Sequence, residues 1–211
     1  MDEASAIREG LTAAGVEPAA VERFALYVAL LLRWNARMNL TAARQADVLV
    51  GRHLAECIFA ARQMPRGVKT LLDFGSGGGL PGIPIALCRP AIGVTLAESQ
   101  GKKAAFLREA IRTLGLKAEV WAARVETMPA ERVFDAVTLR AVDKMAAAVR
   151  AGVERVRPGG WLVVFTTRRT EAALDDLGGI RWQEAVALPG SEQGVLRTGR
   201  RVAGALKMLS D

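Results

Sequence analysis

Along the chain, apolar residues first recur at spacings of three and four. Val21, Phe24, Ala25, Val28, Leu31 and Leu32 then share one face of a helix. A second helix is predicted from about Asp47 to Met64, with Val50, Leu54, Cys57, Ile58 and Ala61 as its apolar stripe. The segment Met64-Pro65-Arg66-Gly67 punctuates the pattern, because proline and glycine mark turns rather than helix interiors. Residues 1–64 therefore read as a helical extension and residues 65–211 as a core, within one globular domain.

After that break, short apolar runs bounded by turns alternate with helical stretches, the signature of βα units and a mainly parallel sheet. Strands are predicted over residues 70–74, 94–97, 118–122, 134–139 and 161–166, with helices over about 83–88, 102–114 and 142–156. Pro158-Gly159-Gly160 is expected to be the turn that launches the fifth strand. Past Arg168 the pattern weakens to a helix near 171–177 and two strands around 184–188 and 202–207. The expected fold is α/β and Rossmann-like, a mainly parallel seven-stranded sheet flanked by helices.

With 51% hydrophobic residues a large packed interior is available, and only 5% are aromatic, so Ala, Leu and Val do most of the filling. The longest apolar stretch, residues 24–32, is far too short to span a membrane, and the opening Met1-Asp2-Glu3 carries no basic leader. No membrane association is expected. Cys57 and Cys88 form neither a disulfide framework nor a metal spacing, which fits a reduced cytoplasm and no bound metal. The excess of 29 Lys+Arg over 22 Asp+Glu, +7 in all, favours a polyanionic partner such as nucleic acid, although an arginine-rich genome would give the same excess.

The candidate chemistry lies in Leu71-Leu72-Asp73-Phe74-Gly75-Ser76-Gly77-Gly78-Gly79-Leu80-Pro81-Gly82, which leaves a strand and enters a helix. Glycines such as Gly75 and Gly77 let backbone turn sharply and let a ligand approach closely; an ordinary βα turn does not need five of them. Gly77-x-Gly79-x-x-Gly82 also satisfies the dinucleotide fingerprint. Asp73 separates the two ligand classes. A carboxylate there repels a pyrophosphate, whereas S-adenosylmethionine brings an ammonium and a sulfonium that Asp73 helps to hold. Glu98, 25 positions after Asp73, ends the second strand, where a carboxylate accepts hydrogen bonds from ribose hydroxyls. That placement suits any adenosine ligand.

These and further stretches resemble the bacterial small-subunit (16S) ribosomal RNA methyltransferase G family, also called the glucose-inhibited division protein B family. The stretches are Trp34-Asn35 with Asn39-Leu40-Thr41, then Arg52-His53, then Asp73-x-Gly75-x-Gly77-x-Gly79-Leu80-Pro81-Gly82-Ile83-Pro84. Glu98-Ser99-x-x-Lys102-Lys103, Phe106-Leu107, Arg124-Val125-Glu126, Phe134-Asp135 and Arg140-Ala141 complete them. The resemblance implies a Rossmann-like methyltransferase fold and transfer of a methyl group from S-adenosylmethionine to N7 of a guanine in 16S RNA. It also implies cofactor contacts at Gly75, Leu80, Val125, Glu126 and Arg140. Two departures stand out: Glu56-Cys57 where the family pattern has Asp-Ser, and Thr166-Thr167 where it has Lys-Gly after the fifth strand. Arg168 or Arg169 is a candidate to replace the missing lysine.

Methyl transfer from a sulfonium is an in-line displacement, so alignment supplies much of the rate. Guanine N7 already carries a free lone pair, and no general base is demanded. Accordingly no catalytic residue is assigned, and Arg140 is given an orienting role toward cofactor or phosphate, with an ion pair to Asp143 or Glu126 as the alternative. The one histidine, His53, falls in the helical extension, either as an orienting group near the site or as a structural residue. Cys57 and Cys88 fall on helices, away from where a pyrimidine-methylating nucleophile would sit. Arg33, Arg37, Arg44, Lys102, Lys103, Arg197, Arg200 and Arg201 are candidate phosphate contacts. The expected partner is 16S ribosomal RNA or a small-subunit precursor, and the expected state is a monomer. A small-molecule methyltransferase with the same core and a dinucleotide-binding reductase stay open as alternatives.

Overall fold

The computed structural model describes residues 2–142 and 145–202. Its first helix, α1 (Glu3–Ala13), is capped by Asp2, whose carboxylate accepts from Ser5 N at 2.7 Å. The apolar pattern did not predict it, because Leu11 is its one fully buried residue. Helix α2 (Pro18–Asn35) starts with proline in its first turn and buries Phe24, Tyr27, Val28, Leu30 and Leu31. The single helix expected over 47–64 is instead α3 (Ala46–Val48), a π-helix (Leu49–Leu54) and α4 (Ala55–Gln63). A π-turn widens the helix and shifts the phase of the side chains that follow; Arg52 and His53 lie within it.

The core strands are β1 (Thr70–Phe74), β2 (Gly93–Ala97), β3 (Ala118–Trp121), β4 (Phe134–Arg140), β5 (Val156–Thr167), β6 (Ile180–Trp182), β7 (Val186–Ala187) and β8 (Gly194–Arg201). Helices α5 (Gly82–Cys88), α6 (Gly101–Leu114) and α7 (Met145–Arg155) connect β1 to β2, β2 to β3 and β4 to β5, and a 3-10 turn (Val125–Thr127) lies between β3 and β4. They form one sheet in the order β3-β2-β1-β4-β5-β8-β6, with β7 also paired to β8. Strands β1 to β5 are parallel and β8 is antiparallel to its neighbours. Strand order reverses between β1 and β4, the switch point outside whose carboxyl ends α/β proteins bind ligands.

Each central strand is buried on both faces. Leu71 and Ala136 join the apolar cluster that contains Phe24, Tyr27, Leu31, Ile83 and Phe106, while Leu72 and Val137 point into the other, with Val149, Val153 and Leu162. The N-terminal helices thus pack on the same core as one face of the sheet.

The structure corrects the late part of the sequence reading. Pro158-Gly159-Gly160 lies inside β5, where the register against β4 shifts between Phe134 and Ala136; it is a bulge rather than a turn before the strand. The helix expected near 171–177 is a single 3-10 turn (Glu171–Leu174), and the strand at 184–188 shrinks to β7. The last strand falls earlier than expected, at β8, and β6 was not predicted; residues 203–207 lie outside the described residues. Strand β8 was hidden by its arginines. Arg197 is buried with its guanidinium over Trp182 and paired to Glu171 at 3.5 Å and Asp175 at 2.5 Å, and Arg201 is buried with Nη1 donating to Val156 O. Both are internal, so neither is a phosphate contact. Arg200 donates from Nε to Gly159 O at 3.1 Å and stacks on Trp161.

Among the described residues no helix is long and apolar enough to cross a membrane.

Candidate functional site

Asp73 is where the strand hands over to the loop. It is 1% exposed. Parallel pairing puts it beside Thr138 of β4, whose Oγ1 donates to Asp73 Oδ1 at 2.8 Å, and Gly82 N donates to Oδ2 at 3.2 Å. A side chain at position 82 would place Cβ 2.7 Å from Asp73 Oδ2, so only glycine lets α5 begin this close to the carboxylate. Ser76 Oγ donates to Asp73 O at 3.0 Å, and Ser76 N to Ala97 O at 2.9 Å. Burial lifts the Asp73 carboxyl to about 6, against the pull of its hydrogen bonds from Thr138, Ser76 and Gly82. Asp73 lines neither of the cavities described next; it holds the loop from below.

Glu98 holds the loop from the side. Its Oε2 accepts from Gly77 N at 3.0 Å and its Oε1 from Gln100 N at 2.8 Å. From above, Tyr27 Oη of α2 donates to Gly78 O at 2.6 Å in the interior. Asn35, the last residue of α2, organises the following segment: its Oδ1 accepts from Leu40 N at 2.9 Å and Thr41 N at 3.0 Å, and its Nδ2 donates to Ala43 O at 2.8 Å. Arg44 closes that segment on Asn39 Oδ1 at 2.6 Å. The N-terminal extension thereby forms a wall over the glycine loop.

Two cavities meet at Gly75, Glu98 and Ala141. The larger, about 590 Å³, is lined by the loop from Gly75 to Gly78 with Leu80, by residues 39–42 and Arg44, and by His53, Lys103 and Arg140. The smaller, about 380 Å³, is lined by Phe74, Ser99, Val125 and Glu126 among others. Of the expected site residues, Gly75, Gly77, Leu80, Glu98, Val125, Glu126 and Arg140 therefore line one continuous cleft at the carboxyl ends of β1, β2 and β4. Ala141, on the rim of both chambers, has a left-handed φ of 50°, a conformation uncommon for non-glycine residues.

Arg140 is not free. Its Nη2 donates to Glu56 Oε2 at 2.5 Å and lies 3.0 Å from His53 Nδ1, and its guanidinium stacks over Phe165 at 5.5 Å. The pair is nearly dry, with side chains 12% and 7% exposed. Among the described residues the ion pair is thus with Glu56 rather than Glu126; Asp143 lies outside them. Burial, then Arg140, hold the His53 ring below its usual pKa. Sequence reasoning named His53 but not its partner, since Glu56 was noted only as a departure from Asp; the two meet on Arg140, 87 and 84 positions away.

Thr166 and Thr167 hydrogen-bond through their hydroxyls to Thr170 at 2.9 and 2.8 Å. Neither they nor Arg168 and Arg169 line the cleft. Cys57 is fully buried and its thiol is pushed up to about 12 by burial; Cys88 is pushed up to about 11 by the same cause. Neither lines the cleft. Among the described residues no cluster of three or more His, Cys, Asp or Glu is arranged to hold a metal ion.

The family model described as rRNA small subunit methyltransferase G matches residues 20–177, from the second helix through the parallel strands β1 to β5 and just past the 3-10 turn that follows. The chain belongs to this family. Among relatives, Ribosomal RNA small subunit methyltransferase G of Stenotrophomonas maltophilia (strain K279a) is 43% identical over 163 residues, 77% of this chain and 76% of the relative. The protein of the same name from Xanthomonas oryzae pv. oryzae (strain MAFF 311018) is 42% identical over 165 residues, 78% and 77% of the two chains. Among solved structures, an O-methyltransferase from Bacillus cereus in complex with SAH superposes with a TM-score of 0.60 at 17% identity, covering 83% of this chain and 90% of its own. The N-methyltransferase NodS from Bradyrhizobium japonicum WM9, also with SAH, gives 0.59 at 15% identity, covering 81% and 98%. At such identities the likeness is one of fold: a methyltransferase α/β fold. Within the methyltransferase G family stretch fall both walls of the cleft, from Tyr27 and Asn35 to Arg140.

Proposed function

We infer that the protein transfers the methyl group of S-adenosylmethionine to N7 of a guanine in 16S ribosomal RNA, and that the two-chambered cleft is where it does so. Methyl transfer to small-subunit ribosomal RNA goes with the family. The assignment of residues is our own reading, carried by one observation: a buried glutamate and a glycine loop meet at the junction of two chambers at the sheet's switch point. In this reading the adenine lies in the smaller chamber beside Val125 and Glu126, and Glu98 accepts from the ribose hydroxyls. The methionine part passes Gly75, Gly77 and Leu80 into the larger chamber, where the target base enters.

Asp73 acts through the loop. It fixes Gly82 and the start of α5, and its charge lies beneath the cleft, favouring a cationic ligand over a diphosphate without touching it. S-adenosylmethionine supplies the electrophilic methyl. The protein supplies alignment, a wall from residues 39–42, and a rim of Arg44 and Lys103 for the RNA backbone. Exposed Arg37 and Lys102 are further candidate phosphate contacts, whereas Arg33 is paired to Glu109 at 2.8 Å. We further propose that the protein works as a cytoplasmic monomer on 16S RNA or a small-subunit precursor, with residues 1–64 forming the cap of a single domain.

Calorimetry with S-adenosylhomocysteine and NAD(H) side by side tests the ligand. Binding of the first alone is expected, and Glu98→Ala is expected to weaken it by about tenfold or more, as loss of hydrogen bonds to a charged acceptor does. Binding of NAD(H) in preference would overturn the assignment.

A further inference from the structure

We propose that His53 reads the target base: its ring, held by Arg140, donates an Nε2–H hydrogen bond to O6 of the guanine whose N7 receives the methyl group. This rests on the cleft being the transfer site. Arg140 Nη2 sits 3.0 Å from His53 Nδ1. A guanidinium can only donate, so Nδ1 carries the lone pair and the neutral ring holds its proton on Nε2. Arg140 has no freedom to reverse this, since Glu56 and Phe165 fix it from two further sides.

Among the described residues His53 Nε2 has no hydrogen-bond partner; the residue is half-buried and lines the chamber that holds Gly75 to Gly78.

The chemistry of the purine edge makes such a donor selective. Guanine presents two acceptors there, N7 and O6, whereas adenine presents N7 and the N6 donor. The N7 lone pair must be left free for the methyl group, which leaves atom 6 as the neighbour to be read. A fixed N–H accepts guanine at that atom and meets adenine donor against donor.

Charge argues the same way. As N7 bonds to the methyl carbon, the sulfur–methyl bond breaks with its electron pair going to sulfur, and the positive charge passes from sulfonium to base. No proton moves. A neutral imidazole tolerates that charge beside it, where an imidazolium would oppose it.

The test uses small-subunit RNA carrying guanine or 2-aminopurine, which keeps N7 and lacks O6, at the mapped target position. Wild-type kcat/KM is expected to fall by about 10- to 100-fold from guanine to 2-aminopurine, the usual loss when a site's donor is left unpaired. His53→Ala is expected to lose a similar factor on guanine and to distinguish the two bases by less than about threefold. Its affinity for S-adenosylhomocysteine should stay within about twofold of wild type. His53→Phe keeps the ring's bulk without the donor and carries the test if the alanine variant does not fold. Undiminished discrimination in either folded variant overturns the proposal. Failure of the wild-type protein to bind S-adenosylhomocysteine, or to methylate guanine-containing RNA, overturns the reading beneath it instead.

Discussion

Replacing Tyr27 by phenylalanine tests whether the N-terminal helices set the glycine loop. Tyr27 is fully buried, and its hydroxyl donates at 2.6 Å to the carbonyl of Gly78, itself buried within the loop. Phenylalanine keeps the ring and its packing, so cavity formation contributes little, and the loss is one hydrogen bond plus a buried carbonyl left without a donor. Such an orphaned group costs about 1–3 kcal/mol. Taking about 2 kcal/mol, a chain of this size should melt roughly 4–8 °C lower. In urea the midpoint should fall with the slope unchanged, because the unfolded surface is the same. Since the orphan is a loop carbonyl, part of the loss should reappear in binding: the affinity for S-adenosylhomocysteine should weaken by up to about tenfold, the equivalent of about 1.4 kcal/mol. Unaltered melting and binding would refute the claim that the extension positions the loop. Altered melting with unaltered binding would confine Tyr27 to stability.

Three further outcomes follow from the same geometry. Gly79 has φ +83° and a Cβ there would overlap the Ile83 side chain, so Gly79→Ala should cost about 2 kcal/mol or more by thermal melting, against the usual tenths for a surface change. Glu56→Ala leaves the nearly dry Arg140 guanidinium without its counter-ion and should destabilise by about 3 kcal/mol, with kcat for RNA falling and S-adenosylhomocysteine binding largely kept; an unchanged kcat would remove Arg140 from the site. Asp73, raised by burial to about 6, favours the folded state most when protonated. Its contribution is fully present below about pH 4 and declines as pH rises through 6, by up to roughly 3 kcal/mol. Denaturation of wild type and Asp73→Asn across pH 4–7 should show that difference, and parallel curves would contradict it.

The strands around the switch point were legible because they are buried on both faces and bounded by glycine and proline: β1 was read to the residue, and β2 and β4 to within one. The loop was legible for a chemical reason, since so many glycines between Asp73 and Ile83 have no other use. What escaped depends on tertiary partners. The arginines of β8 read as candidate phosphate contacts, yet Arg197 and Arg201 are drawn inside by Trp182, Asp175 and the Val156 carbonyl. The link from His53 through Arg140 to Glu56 spans 87 residues between its first two members, and no local spacing encodes it. The role of Asp73 changed as well. The sequence invited a direct contact with a cation, but the side chain turns inward against Thr138 and Gly82 and lines neither chamber of the cleft.

The activity inferred for this cleft puts a methyl group on one atom of one kind of base. Small-subunit RNA from a strain lacking the enzyme, incubated with the protein and methyl-labelled S-adenosylmethionine, should yield label in N7-methylguanine at a single position, found by nuclease mapping and mass spectrometry of the nucleosides. Label on another atom, on another base, or only in small molecules of a metabolite extract would contradict it.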